Sequence, residues 1–173
     1  MEKITWLKGA IEALLFTSPS PLSLKKLREI LGVDGTEIRD ILKSLEREYA
    51  EKGRGILLRE VGGGFKIFVR REYGDLVKKL GKKRKRKLSP STLETLTIIA
   101  YRQPITREEI EKIRGVNVRD SLRTLRKLKL IRVVGRKKVP GRPYLYGTTR
   151  EFLLHLGIKS LRELPKPEDF KNE

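Results

Sequence analysis

Seven cations crowd two short stretches of this chain: Arg119, Arg123 and Arg126, then Arg136, Lys137, Lys138 and Arg142. The first three fall at i, i+4 and i+7, so on a helix they leave from one face, with Lys127 beside them. The other four bracket the turn GRKKVPGRP, and a hairpin there gathers them at its tip. Guanidinium and ammonium groups in such an array bind phosphate oxygens. Against nucleic acid, the helix would enter the major groove and the hairpin would meet the minor groove or the backbone. The plainer reading is that any surface helix of a basic protein carries such a stripe.

No comparable set points to catalysis. His155 is the only histidine and there is no cysteine, so disulfides and thiolate ligands are excluded and a metal site lacks a ligand set. The carboxylates are scattered along amphipathic stretches with no nucleophile or base beside them. Gly62, Gly63 and Gly64 lie between two strand-like runs, without the strand-to-helix context of a phosphate loop, and read as a turn. The expectation is a protein that is no enzyme and needs no cofactor or metal.

The elements that must hold the basic residues are legible in residues 105–149. Thr106 and Glu109 have capping-box spacing, and the helix they open stops at Gly115. Asn117 caps the next helix, with Asp120 in its first turn. Val118, Leu122, Leu125 and Leu128 form its apolar face. A β-rich run over 131–134, a loop over 135–143 and a return strand over 144–148 complete the pattern. Helix, turn, helix with a basic face, then a basic hairpin is the sequence form of a winged helix. Ser89 and Pro90 open the domain, with Leu93, Leu96, Thr97 and Ala100 as its core stripe. An amphipathic helix with Phe152, Leu153 and Leu156 follows, and residues 165–173 are expected to fray.

The N-terminal part repeats the plan. Residues 4–16 predict a helix apolar around most of its circumference, either central to its own domain or shared with a second apolar partner. Ser23 caps a helix ending at Gly32, and Thr36 is expected to cap another carrying Ile38, Ile41, Leu42, Leu45 and Tyr49. Two strands around residues 62–64 close it. Acids and bases alternate on the third helix, which favours a solvated or protein-facing surface.

The chain of 173 residues carries a net charge of +19. Residues 1–80 hold 16 basic and 12 acidic side chains, 81–87 (GKKRKRK) hold six basic ones, and 88–173 hold 19 basic and 10 acidic. The domains are therefore read as 1–80, a basic linker over 81–87 and 88–173. The linker is expected to be extended, as a nucleic-acid tether or simply a soluble spacer. Such excess charge attracts polyanions, nucleic acid first. One Gln, two Asn and 36% charged residues match the composition of thermophile proteins. No apolar run is long enough to span a membrane and no signal-peptide pattern opens the chain, so a cytoplasmic protein is expected. The fold class is α+β, mainly helical, with two tandem winged helices.

Several segments also resemble a known family. IAYRQPIT, IEKIRGV, IRVVGRKKVPGRPYLYGTT and FLLHLGIKSLRELP look like the C-terminal half of segregation and condensation protein B, the winged-helix subunit of the SMC–kleisin chromosome complex. IEALLFTSPSPLSLKKLREIL resembles that family's opening segment, so the likeness covers nearly the whole chain. Its most specific piece is PGRPYLYGTT, followed closely by Phe152, Leu153 and Gly157.

The resemblance implies a non-enzymatic subunit acting in chromosome condensation and segregation, cytoplasmic and nucleoid-associated. It implies a homodimer formed by the N-terminal winged helix, which would account for the surplus apolar face of the first helix. Ile4, Leu7, Ile11, Leu14 and Leu15 are the expected interface. It also implies an ScpA-like kleisin partner and, through it, the SMC ATPase. Many members of the family are acidic or balanced, whereas this chain is strongly basic, so direct DNA contact is expected too. The alternative is a free-standing winged-helix transcription regulator, which should bind one defined site.

Overall fold

The computed structural model describes residues 2–51, 53–80 and 88–166, and the fold is α+β with two small antiparallel sheets. The basic linker over 81–87 and most of the C-terminal tail lie outside the described residues. Two compact units emerge: residues up to 80 together with those from Gly157 onward, and residues 88–156. The division at 88–173 thus differs at its end. Within the first unit the Gly62 amide donates to the Ile158 carbonyl (3.2 Å), and Lys159 pairs with Glu60 (2.8 Å).

In the first unit α1 (Glu2–Thr17), α2 (Leu24–Leu31) and α3 (Gly35–Ala50) precede a hairpin of β1 (Ile56–Val61) and β2 (Gly64–Val69). Ser23 caps α2 as its sequence predicts, its hydroxyl accepting from the Lys26 amide, and Gly32 ends the helix with φ of 65°. The cap of α3 is Asp34, not Thr36. Its carboxylate accepts from the Thr36 amide at 2.8 Å, and that bond holds its pKa below the usual value. A carboxylate two residues upstream outcompetes the threonine because it adds charge at the positive end of the helix. At the other end Arg70 donates to the carbonyls of Tyr49 (2.9 Å) and Ala50 (2.8 Å), which the helix leaves without partners. Val61 faces Gly64 across a tight turn in which Gly62 and Gly63 both have positive φ, a conformation glycine takes without strain.

The core of this unit contains Leu7, Ile11 and Leu15 of α1, Leu27 of α2, and Ile38, Leu42 and Leu45 of α3. Each such side chain contributes roughly 1.5–3 kcal/mol of transfer free energy. A short 3-10 turn (Arg71–Tyr73) and α4 (Gly74–Lys79) follow the hairpin.

The second unit holds α5 (Pro90–Arg102), β3 (Ile105–Thr106), α6 (Arg107–Arg114), α7 (Arg119–Lys127), β4 (Ile131–Arg136), β5 (Tyr144–Thr148) and α8 (Arg150–Leu156). Its sheet has the order β3-β5-β4. Ser89 caps α5 and Pro90 occupies its first turn, as expected. The core stripe of α5 is rotated from the one read in sequence. Leu93 is 48% exposed and Thr97 also faces out, while Thr92, Thr95, Leu96, Ile99 and Ala100 are buried. Burying Thr95 costs little because its hydroxyl donates to the Ser91 carbonyl (2.9 Å) and accepts from Arg114 (3.0 Å). Arg114 also donates to the Ser91 carbonyl (2.7 Å) and pairs with Glu94 (2.7 Å), which ties α6 to α5.

Candidate nucleic-acid and assembly surfaces

The basic surface of the second unit is built outward from the two ends of α6. At its start the Thr106 hydroxyl accepts from the Glu109 amide (3.3 Å), and the Glu109 carboxylate accepts from the Thr106 amide (2.8 Å) and hydroxyl (2.9 Å). This is the predicted capping box. The other oxygen of Glu109 takes Lys137 at 2.5 Å. With Lys137 first and the Thr106 bonds next, the carboxyl is pulled down to about 2. Gly115 closes α6 in the left-handed region, its amide donating to the Glu111 carbonyl at 2.8 Å.

The cap position of α7 falls on Val118, not on Asn117 as expected, and Val118 has no side-chain oxygen to cap with. Asn117, one residue earlier, accepts from the Arg119 amide (2.9 Å), and Glu111 accepts from the Val118 amide (3.2 Å). Val118, Leu122 and Leu125 are buried as predicted, whereas Leu128 at the helix end is 46% exposed. Arg119, Arg123, Arg126 and Lys127 are all exposed on the opposite side. Arg123 pairs with Asp120 at 2.9 Å.

In the β4–β5 hairpin, Val133 faces Tyr146, Gly135 faces Leu145 and Arg136 faces Tyr144, with an irregularity between Val133 and Gly135. Arg136 therefore shares a face with Val133 and with the buried Tyr146. Its guanidinium lies 4.2 Å from the Tyr144 ring centre and donates to the Tyr144 hydroxyl (2.8 Å) and the Arg142 carbonyl (3.2 Å). The Lys137 amide donates to the Pro143 carbonyl (2.9 Å), and Arg142 closes the turn onto Val139 (2.9 Å). Lys138 and Arg142 are exposed at the tip.

Sequence reading missed Tyr144 and the Glu109–Lys137 pair. The first needs the strand register, and the second joins residues far apart in the chain. The Asp120–Arg123 pair, three residues apart, had a local signal that went unread. Among the described residues no group of three or more His, Cys, Asp or Glu side chains is arranged to hold a metal. No helix among them is long and apolar enough to cross a membrane.

The expected dimer interface on α1 is corrected. Leu7, Ile11 and Leu15 are 2%, 0% and 3% exposed, and Leu14 packs partly buried against the same core. These leucines and the isoleucine fill their own unit because α1 lies across α3 and the β1–β2 hairpin. Of the five named residues, only Ile4 is open, at 58%. Besides Ile4, the large apolar groups of α1 that face outward are Trp6 (66%) and Phe16 (81%). Trp6, Gly9, Ala13 and Phe16 recur at i, i+3, i+7 and i+10, and all four are exposed, so they make one stripe with small residues between two aromatics. The polar residues of α1 are tied down elsewhere: Lys8 bonds to Glu48, and Glu12 accepts from the Tyr49 hydroxyl.

A family model described as segregation and condensation complex subunit ScpB matches residues 9–167. The chain is 46% identical over 161 residues to segregation and condensation protein B of Symbiobacterium thermophilum, spanning 93% of this chain and 74% of that protein. A crystal structure of ScpB from Mycobacterium tuberculosis is 32% identical, covers 90% of this chain and 97% of that one, and superposes with a TM-score of 0.44. A crystal structure of a dimer of the ScpB N-terminal domain complexed with an ScpA peptide is also 32% identical. It covers 45% of this chain and 98% of that one, with a TM-score of 0.43.

Proposed function

The chain belongs to the family of segregation and condensation complex subunit ScpB, and from that premise we propose that it is a non-catalytic subunit of an SMC–kleisin complex acting in chromosome condensation and segregation. The observation that carries this reading is the family match over residues 9–167, which spans both units. An ScpA-like kleisin is its partner, the SMC ATPase is reached through that kleisin, and the setting is the cytoplasm at the nucleoid.

Each unit is read as a winged helix. In both, helices precede an antiparallel hairpin, and the helix before the hairpin is amphipathic. The two winged helices divide the work by charge. The alternating acids and bases of α3 suit a protein-facing role, while α7 and the β4–β5 hairpin suit direct, sequence-independent DNA contact. The outward stripe of Trp6, Gly9, Ala13 and Phe16 supports a homodimer formed through α1, since aromatic anchors beside small residues allow close helix approach. No observation favours a free-standing regulator.

Deleting the gene in its own host tests the role. The expected outcome is decondensed nucleoids and anucleate cells. Normal nucleoids with a narrow set of altered transcripts would contradict it.

A further inference from the structure

The cations of α7 and the β4–β5 hairpin are not equivalent, because some already hold an acid. Lys137 Nζ sits 2.5 Å from Glu109 Oε1, and that carboxylate is itself fixed by the Thr106 amide and hydroxyl. Arg123 faces Asp120, but their side chains are 80% and 86% exposed. So open a pair is weak, and a phosphate can displace it. Arg119, Arg126, Lys127, Arg136, Lys138 and Arg142 make no ion pair among the described residues.

The geometry also selects the kind of nucleic acid. An unpaired base needs a free aromatic face on which to stack. The hairpin offers one exposed ring, Tyr144, and the Arg136 guanidinium covers one of its faces, so successive bases have no platform of rings on which to stack. Side chains suited to reading base edges are occupied as well. Asn117 has its Oδ1 engaged by the Arg119 amide, which spoils the two-point geometry an adenine needs, and Gln103 accepts from the Thr148 amide at 2.7 Å. What remains open is charge. A guanidinium with five donors, two of them engaged by Tyr144 and Arg142, still has donors for phosphate oxygens.

Building on the DNA contact proposed above, we propose that this surface binds the phosphate backbone of duplex DNA through the six cations that hold no acid. In this arrangement Lys137 is a positioning residue that fixes the hairpin through Glu109 and does not touch phosphate. Losing it should loosen the hairpin without removing a phosphate contact.

Fluorescence anisotropy of the full chain tests this, using a labelled duplex of arbitrary sequence and its separate strands from about 50 to about 200 mM salt. The variants are Arg126→Gln, Arg142→Gln, Lys137→Gln and Glu109→Gln, each with its melting temperature recorded. The wild type should prefer the duplex. Arg126→Gln and Arg142→Gln should each make the slope of log affinity against log salt shallower by about 0.9. Lys137→Gln and Glu109→Gln should both lower the melting temperature and leave the slope as in the wild type. A shallower slope in Lys137→Gln but not in Glu109→Gln would make the lysine a phosphate contact and overturn its assignment. An unchanged slope in both arginine variants, or tighter binding to single strands, would overturn the duplex surface. If the wild type binds neither, the DNA reading itself falls with it, an outcome distinct from the others.

Discussion

Lys137 Nζ and Glu109 Oε1 lie 2.5 Å apart, so the start of the hairpin turn is tied to the capping box that opens α6. One carboxylate thus serves a helix cap and a hairpin together. Replacing it with an amide removes the charge from both.

Glu109→Gln should lower stability by about 1 kcal/mol at neutral pH, allowing for solvent screening of a pair more than a third exposed. The folded carboxyl is held at about 2, below its ordinary 4.5, so its stabilisation is complete above the unfolded value and drains away as pH falls toward 2. Urea melts of wild type and variant should therefore differ at pH 7 and converge in acid. A difference that persisted unchanged in acid would contradict the assignment.

Gly147 has no room for a methyl group. A Cβ there would stand 2.9 Å from Val134 Cγ1 and 3.0 Å from Gln103 Oε1. Gly147→Ala should destabilise the second unit by about 1–3 kcal/mol, since β4 or Gln103 must shift. Thermal melts would show it, and an unchanged melting temperature would mean that the strand yields freely.

Asp120 is the acid beside the basic face of α7, paired with Arg123. Asp120→Asn should free Arg123 and tighten DNA binding, steepening the salt slope by up to about 0.9. Anisotropy titrations at several salt concentrations would detect this. Affinity and slope unchanged from the wild type would place the DNA away from α7.

For α1, assembly and folding should separate. Trp6→Glu should leave the fold intact and turn a dimer into a monomer of 20.0 kDa by light scattering at micromolar concentration. Ile11→Ala, at a fully buried position, should instead cost about 2–5 kcal/mol of stability. A monomeric wild type, or a Trp6→Glu variant that stays dimeric, would refute the α1 interface.

What the sequence conveyed well was local. The Thr106–Glu109 box, the Ser89–Pro90 start and the glycine stops at 32 and 115 all depend on neighbours within a few residues, and the structure reproduces them. Where several local solutions compete, reading failed: Asp34 displaced Thr36 as a cap. Burial phase failed where a threonine found partners from another helix, as Thr95 did with Arg114. The α1 assignment failed for a related reason. A helix apolar on nearly all sides has both a core face and an outer face, and only packing shows that Ile11 belongs to one and Trp6 to the other. Among the basic residues, sequence could locate the charges, but it could not separate Lys137, which holds an acid, from Lys138, which does not.

Purifying the tagged full chain from its native host under mild salt, and identifying what comes with it, tests the proposed membership of an SMC–kleisin complex. A kleisin subunit should come down in fixed proportion to the chain, with the SMC ATPase bound through it and lost when the kleisin is removed. Recovery of the chain alone, or with one short DNA sequence and neither protein, would contradict it.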